Sequence, residues 1–391
     1  MQTPFYVYDL DRLNETINKA KIAANRYGYH IHYAIKANYD LKVNRLLASH
    51  NIGADCVSGN EILHAVKCDF NPQKIVFAGV GKTDEEINTA LRSGIACFNV
   101  ESDQEILVIN ELAKKKAVKA KIAIRVNPNV SADTHRHITT GMNENKFGIH
   151  HRFLMDSIEK IEELSNVELV GLHFHIGSQI LNMDNFKNLC LQINNILEWI
   201  RCEGIFIEHI NLGGGLGINY NNPEEIPDFE SFFKTYHRNL NLDSHMQIHF
   251  ELGRSLVGQC GELWSKVLYI KDGIDKKFVI IDAGMTHLMR PALYDAYHKI
   301  SLHNNRENRN SYTYEVVGPI CESTDILGKA RKLPELHRGD ILITHSAGAY
   351  GEVMSNNYNM KPMGEVMYRN RAASNPNQKE NNALESITNL A

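Results

Sequence analysis

Between residues 30 and 254, short apolar or β-branched runs return at a near-even spacing. They fall at 30–37, 52–58, 75–80, 96–102, 121–128, 170–178, 206–213 and 246–252, and each predicts a strand. Stretches with helical spacing separate most of them, among them Asp103–Ala117, His151–Ser165, Asn185–Glu203 and Phe229–Leu240. Eight consecutive strand–helix units predict a parallel (β/α)8 barrel of the TIM type, an α/β fold whose chemistry sits at the carboxyl ends of the strands. The rival, a doubly wound open sheet, does not ordinarily use eight parallel units in succession. Past residue 255 the texture changes to short strands and turns: LWSKVLYIKD, KFVIIDAG, YTYEVVG, DILITH and GEVMYRN. These predict an all-β domain, to which Phe5-Tyr6-Val7-Tyr8 can add a strand. The expected division is a barrel over 12–258, a β-domain from 1–11 plus 259–370, and a mobile Asn-rich tail over 371–391 with only a weak Leu384/Ile387/Leu390 face.

Chemistry-bearing residues collect where a barrel would want them. Lys36 ends the first run, Asp55 and Ser58 the second, and Arg125 to Pro128 the fifth. His175 to Ser178 end the sixth, Gly213 to Gly215 the seventh, and Glu251 to Arg254 the eighth. Lys36 stands in the apolar run HIHYAIKA, which predicts a buried strand position. Desolvation there would lower the lysine pKa and free the amine as a nucleophile toward carbonyl compounds, pyridoxal phosphate among them. A lysine snorkelling from a strand end is the plainer alternative.

Other motifs are weaker. Three glycines after the run Ile207–Leu212 let backbone amides approach an anion, or simply make a tight turn. The dinucleotide fingerprint fails because Ile218 replaces its last glycine, and Gly81-Lys82-Thr83 fails as a P-loop because Val76 replaces the first. His173 and His175, two apart on one strand, share a face and admit a metal, an aromatic cofactor or a satisfied buried pair. No acidic or cysteine partner has matching spacing, so no metal is expected.

Composition narrows the class. Hydrophobic residues make up 43% and charged residues 23% of the 391, as in ordinary globular proteins. A net charge of -4 argues against nucleic-acid or anionic-membrane partners. Seven cysteines without a CxxC pair suggest reduced thiols and a cytoplasmic location. No run is long enough to span a bilayer, and the start MQTPFYVYDL does not read as a signal peptide.

Taken in order, YAIKAN, GADCVSGNE, GVGKTDEE, NVES, RVNPNV, HITTGMNENKFGI, GLHFHIGSQI, INLGGGLGI and ELGRS resemble the fold-type III pyridoxal-phosphate decarboxylases. So do DAGMTHLMRPALYDAYH, VVGPICESTDILGKA and GAYGEVMSNNYN, and the resemblance runs from about residue 3 to about residue 368. It implies pyridoxal 5'-phosphate as cofactor, with Lys36 as the covalent anchor and His175 against one ring face. Ser178 with Gly213, Gly214 and Gly215 would hold the phosphate, and Glu251 would pair with the ring nitrogen. Gly253, Arg254 and Tyr358 match further cofactor and substrate contacts.

The implied reaction is decarboxylation of meso-2,6-diaminopimelate to L-lysine and CO2. Arg254, Arg290 and Tyr294 match residues that bind the distal carboxylate, and Glu322 matches the acceptor for the distal ammonium. Cys321 matches a cysteine that protonates the substrate carbon, a role Lys36 could also fill. The resemblance further implies a homodimer in which Cys321, Glu322 and Ser323 reach the neighbouring subunit's site. Alternatives are a relative acting on carboxynorspermidine, ornithine or arginine, an amino-acid racemase, or a non-catalytic cofactor carrier. Racemases of this fold usually place arginine at the ring nitrogen, and carriers usually lack a β-domain. Departures from the family pattern are Leu252 in place of proline, Asn60 in place of glycine, and the segment MKPMGEV.

Overall fold

The computed structural model of the chain describes residues 2–128, 146–304 and 309–370. The expected tail over 371–391 and most of the HITTGMNENKFGI run lie outside the described residues. The chain divides into two compact units. One comprises Ile17–Gly217 and Pro227–Gly253; the other holds the described parts of Met1–Thr16, Ile218–Ile226 and Arg254–Ala391. The first strand, β1 (Phe5–Asp9), belongs to the latter.

The larger unit is a closed barrel. Its strands are β2 (His30–Ala34), β3 (Gly53–Cys56), β4 (Ile75–Phe77), β5 (Cys97–Val100) and β6 (Ala120–Asn127). A two-residue strand β7 (Ile149–His150) pairs with the end of β6, and β8 (Val167–His173), β9 (His209–Asn211) and β10 (Gln247–Leu252) complete the wall. The order β5-β4-β3-β2-β10-β9-β8-β6 is parallel throughout, and pairing of β5 with β6, Phe98 opposite Ile122, closes the ring. An open doubly wound sheet has no such closing pair. All eight expected strands are present; most are shorter than expected, while β6 and β8 begin earlier, at Ala120 and Val167.

The helices stop and start on local chemistry. Asp84–Ser93 opens with a reciprocal capping box between Thr83 and Glu86 and ends at Gly94, whose φ of 63° favours glycine. Ser58 and Ser102 cap the helices Gly59–Lys67 and Asp103–Lys115 through their hydroxyls. The other expected helices run Leu154–Glu162, Met183–Cys202 and Phe229–Asn239.

One expectation at the first strand is corrected. The strand ends at Ala34, and Ile35–Ala37 forms a tight 3-10 turn. The Asn38 carbonyl, which follows the turn, accepts from Tyr33 Oη at 2.8 Å and Asn44 Nδ2 at 2.9 Å. Lys36 therefore stands past the strand end with its side chain 37% exposed, not buried within the strand.

In the second unit β1 is joined by β11 (Gly261–Asp272), β12 (Lys277–Ile281), β13 (Ile300–Leu302), β14 (Ser311–Val317), β15 (Ile326–Pro334), β16 (Ile341–Thr344) and β17 (Glu365–Arg369). The order is β13-β16-β11-β12-β14-β15, and β1 lies between β11 and β17. Phe5 is thus opposite both Trp264, antiparallel, and Glu365, parallel. Its core contains Tyr6, Leu263, Val267, Val279, Val316 and Leu342, all fully buried. Each such side chain contributes about 1.5–3 kcal/mol from leaving water. The β-domain expectation holds, and the structure adds β13 and β15.

Candidate active site

At the carboxyl end of the barrel, Lys36 Nζ lies 3.0 Å from Asp55 Oδ2. Asp55 is fully buried on the penultimate residue of β3, and its Oδ1 has no hydrogen-bond partner among the described residues. Burial, with the nearby charge of Glu251, pushes this carboxyl up to about 6, against the opposing pull of Lys36. An ammonium beside an incompletely satisfied carboxylate is an unusual resting arrangement and leaves room for a further donor.

Glu251, on the penultimate residue of β10, is held by three donors. Asn99 Nδ2 and Asn211 Nδ2 reach Oε1 at 3.1 and 2.7 Å, and His173 Nε2 lies 3.0 Å from Oε2. Burial alone would raise this carboxyl, but the charge and hydrogen bond of His173, with Lys36 and His175 beyond, hold it well below the usual carboxylate range. A carboxylate accepts about four hydrogen bonds, so one position remains for a cationic N–H.

The two histidines of HFHIGS part company. β8 ends at His173, which turns to Glu251, while half-buried His175 accepts from the Gly214 amide at 3.2 Å through Nδ1. Burial and then the charge of Arg125 hold the His175 imidazole well below its ordinary value. Ser178 follows in the same loop, half-buried.

The glycine run is explained first by packing. A Cβ on Gly214 would stand 2.0 Å from the Glu251 carbonyl oxygen, and one on Gly213 would stand 2.4 Å from that of Phe174. The Gly213 amide donates to Asn211 Oδ1 at 3.0 Å, so two of the three amides already have partners within the chain. Gly253 packs similarly close, its virtual Cβ 3.1 Å from Ala37 and 3.2 Å from Ala34.

Lys82 and Thr83 are structural. Lys82 Nζ, buried, donates to the Gly79 and Asn99 carbonyls and to Glu105. Arg125 is likewise spent on Glu101 at 2.8 Å.

The second unit carries a different chemistry. Arg254 and Arg290 are both buried. Arg254 Nη1 donates to Tyr220 Oη at 2.7 Å, and its guanidinium lies 4.9 Å from the Tyr350 ring centroid. Arg290 lies 4.8 Å from the Tyr220 ring centroid and donates to His298 Nε2 at 2.7 Å. His298 Nδ1 points to the His345 carbonyl at 2.9 Å, which fixes Nε2 as the acceptor. Burial and then the charge of Arg290 keep this imidazole neutral, well below its ordinary pKa. Among the described residues no carboxylate pairs with Arg290, so a buried guanidinium is met only by neutral groups. Such a site is short of an anion.

Tyr294 ends the short helix that Arg290 begins and is half-buried. Cys321, Glu322 and Tyr358 are exposed. Tyr358 Oη donates to Glu322 Oε1 at 2.9 Å, and the Cys321 amide donates to Asn359 Oδ1 at 2.9 Å. Tyr358 and Glu322, both expected to contact substrate, are thus bonded to each other within one chain. Both side chains are open to solvent, so water can replace either partner of this bond. Sequence reasoning did not single out Asn99, Asn211, Tyr220, His298 or Tyr350.

The barrel and the charged groups at its strand ends define a class: residues 10–258 match the pyridoxal-binding domain of the pyridoxal-dependent decarboxylases. The chain is 51% identical over 366 residues to diaminopimelate decarboxylase of Bacteroides thetaiotaomicron, covering 93% of this chain and 94% of the relative. Two solved structures superpose closely. Diaminopimelate decarboxylase from Helicobacter pylori complexed with L-lysine gives a TM-score of 0.89 at 38% identity, covering 94% of this chain and 92% of that one. The enzyme from M. jannaschii in co-complex with L-lysine gives 0.87 at 37%, covering 95% and 88%. The chain belongs to the diaminopimelate decarboxylase family.

The barrel fits the cofactor of that class. Lys36 offers an amine, the orphan oxygen of Asp55 a further acceptor, and Glu251 a fixed carboxylate with one open position. His175, Ser178, Gly213, Gly214, Gly215 and Gly253 lie on the loops at the same strand ends.

Proposed function

We infer that the chain is a pyridoxal 5'-phosphate-dependent carboxy-lyase that converts meso-2,6-diaminopimelate to L-lysine and CO2. The observation that carries the substrate is the buried Arg290, whose polar partner is a neutral imidazole. A distal substrate carboxylate supplies the missing anion, and a guanidinium can meet it with two charge-assisted bonds. Ornithine and agmatine precursors have no such group at that end.

When bound, pyridoxal phosphate supplies an electron sink for the pair released as CO2 leaves. Lys36 supplies the amine that anchors the aldehyde, and Asp55 orients that amine. Glu251, fixed as a carboxylate by Asn99, Asn211 and His173, keeps a proton on the ring nitrogen. His175 would lie against the ring, Ser178 with Gly213 to Gly215 would hold the phosphate, and Gly253 would make a further cofactor contact. Arg254, Arg290 and Tyr294 hold the distal carboxylate, Glu322 the distal ammonium, and Tyr358 contacts cofactor or substrate. Cys321 or Lys36 returns a proton to the substrate carbon.

We assign a homodimer in which Cys321 and Glu322 serve the neighbouring subunit, which agrees with their exposure here. No helix among the described residues is long and apolar enough to cross a membrane. Seven free thiols support a cytoplasmic location.

The test incubates pure protein with pyridoxal phosphate and meso-diaminopimelate and follows lysine and CO2. Turnover of ornithine, arginine or carboxynorspermidine with diaminopimelate ignored would favour a related decarboxylase. Cofactor uptake without turnover of any amino acid would favour a carrier. Lys36→Ala is expected to abolish both turnover and the visible absorbance of the anchored cofactor.

A further inference from the structure

The amino-terminal end of the barrel, opposite to the strand ends described above, holds a cavity of about 800 Å³. Barrel interiors are ordinarily filled by layers of bulky branched side chains. Here the lining includes His32, His209 and His249, with the small residues Cys97, Ala120 and Ala123 on neighbouring strands. Lys21, Lys74, Lys119 and Lys121 also line it, and no described aspartate or glutamate does.

Three of the imidazoles form a chain. His32 Nε2 lies 2.9 Å from His249 Nδ1, and His249 Nε2 lies 2.9 Å from His209 Nδ1. At one end His32 Nδ1 faces the Lys74 carbonyl at 3.1 Å; at the other His209 Nε2 faces a Glu208 carboxylate oxygen at 3.6 Å. Both ends are acceptors. A carbonyl can only accept, so His32 keeps its proton on Nδ1, and His249 and His209 must then each donate from Nδ1. The bare Nε2 of His209 is left against a carboxylate, at a separation too long for a hydrogen bond. The chain is one proton short of satisfying its contacts.

The charges around it are mixed. His30 stacks on His249 with ring centroids 4.9 Å apart. Lys74 acts on His30 and His32, Lys121 on His209, and the anions are Glu208 beside His209 and Glu251 beyond His32 and His249. Burial, then the neighbouring cations and imidazoles, lower all four histidines, His32 to about 4. Near neutral pH the missing proton stays in solvent until counter-charge arrives.

We propose that this cavity binds a small oxyanion bearing carboxylate or phosphate oxygens, and that the His32–His249–His209 chain takes up one proton as it does so. The lysines draw the anion in, and the anion stabilises the imidazolium that completes the chain. The site is separate from decarboxylation and does not depend on that reading. Asn99 and Asn211 line the cavity and also donate to Glu251, so the cavity wall is one side chain away from that carboxylate.

Calorimetric titration of the cofactor-loaded protein with citrate and with inorganic phosphate tests this, in two buffers of different ionisation heat. Saturable binding of one or both is expected, with uptake of about one proton and hence about a hundredfold tighter binding near pH 6 than near pH 8. Citrate alone binding would identify a polycarboxylate site, and phosphate alone a phosphate site. Lys74→Met and Lys121→Met should weaken binding several-fold. His209→Gln keeps a donor toward His249 but removes the bare Nε2, and should lose the proton uptake. No saturable heat with either anion up to about 10 mM, or undiminished affinity in both lysine variants, overturns the proposal. So does undiminished proton uptake in His209→Gln.

Discussion

Arg290 and Glu251 present opposite electrostatic problems. Glu251 is a buried anion with three donors; Arg290 is a buried cation whose polar partner is uncharged. Arg290→Met should therefore leave cofactor absorbance intact while lowering kcat/KM for meso-diaminopimelate about 100-fold, roughly 3 kcal/mol for a lost charge-assisted pair. Glu251→Gln should act on kcat instead, because the amide cannot hold the ring nitrogen in its protonated form. Equal loss in KM and kcat for the arginine variant, with no change for the glutamine variant, would contradict these assignments. The charged members of both groups were legible in sequence, since Lys36, Glu251, Arg254 and Arg290 carry motifs. Their neutral partners were not: Asn99, Asn211, Tyr220 and His298 gain meaning only when the topology brings distant strands together. The four histidines at the barrel's other end were passed over for the same reason, as His30 and His249 are far apart in sequence and neighbours in register.

At the level of elements, the glycine run shows how one motif serves two demands. Gly214 sits where any Cβ would meet the Glu251 carbonyl, so Gly214→Ala must displace the end of β10. Loss of about 2–3 kcal/mol of stability is expected, within the range for core overpacking. It should be read as a lower denaturation midpoint together with weaker cofactor uptake. A variant with wild-type midpoint and uptake would show that the strand end yields freely. The eight barrel strands were readable because buried parallel strands are nearly continuous apolar runs. β15 was not, because Lys329, Arg331 and Lys332 break its alternation, and β13 is only three residues long. The turn at Ile35–Ala37 escaped as well, since nothing in HIHYAIKA marks where the strand stops.

For the whole molecule, the division of labour between subunits is open to a direct experiment. Mixing Lys36→Ala with Glu322→Ala, each strongly impaired alone, should restore up to about a quarter of wild-type turnover if sites are shared across a two-fold axis. One hybrid site then carries both lesions and the other neither. Absence of any recovery, with hybrid formation verified, would place Cys321 and Glu322 in their own subunit's site. The two-unit architecture was evident from the change of texture near residue 255. The assignment of Ile218–Ile226 to the second unit was not, since a segment of nine residues between barrel elements has no compositional mark.

The strand pairings also dictate an order of events on the ribosome. β2 finds its partner β10 only after residue 252 has been made, and β1 finds β17 only after residue 369. For most of its synthesis the nascent chain carries two early strands with unmatched edges, which are templates for misassociation. Release truncated before residue 365 would leave Phe5–Asp9 permanently one neighbour short.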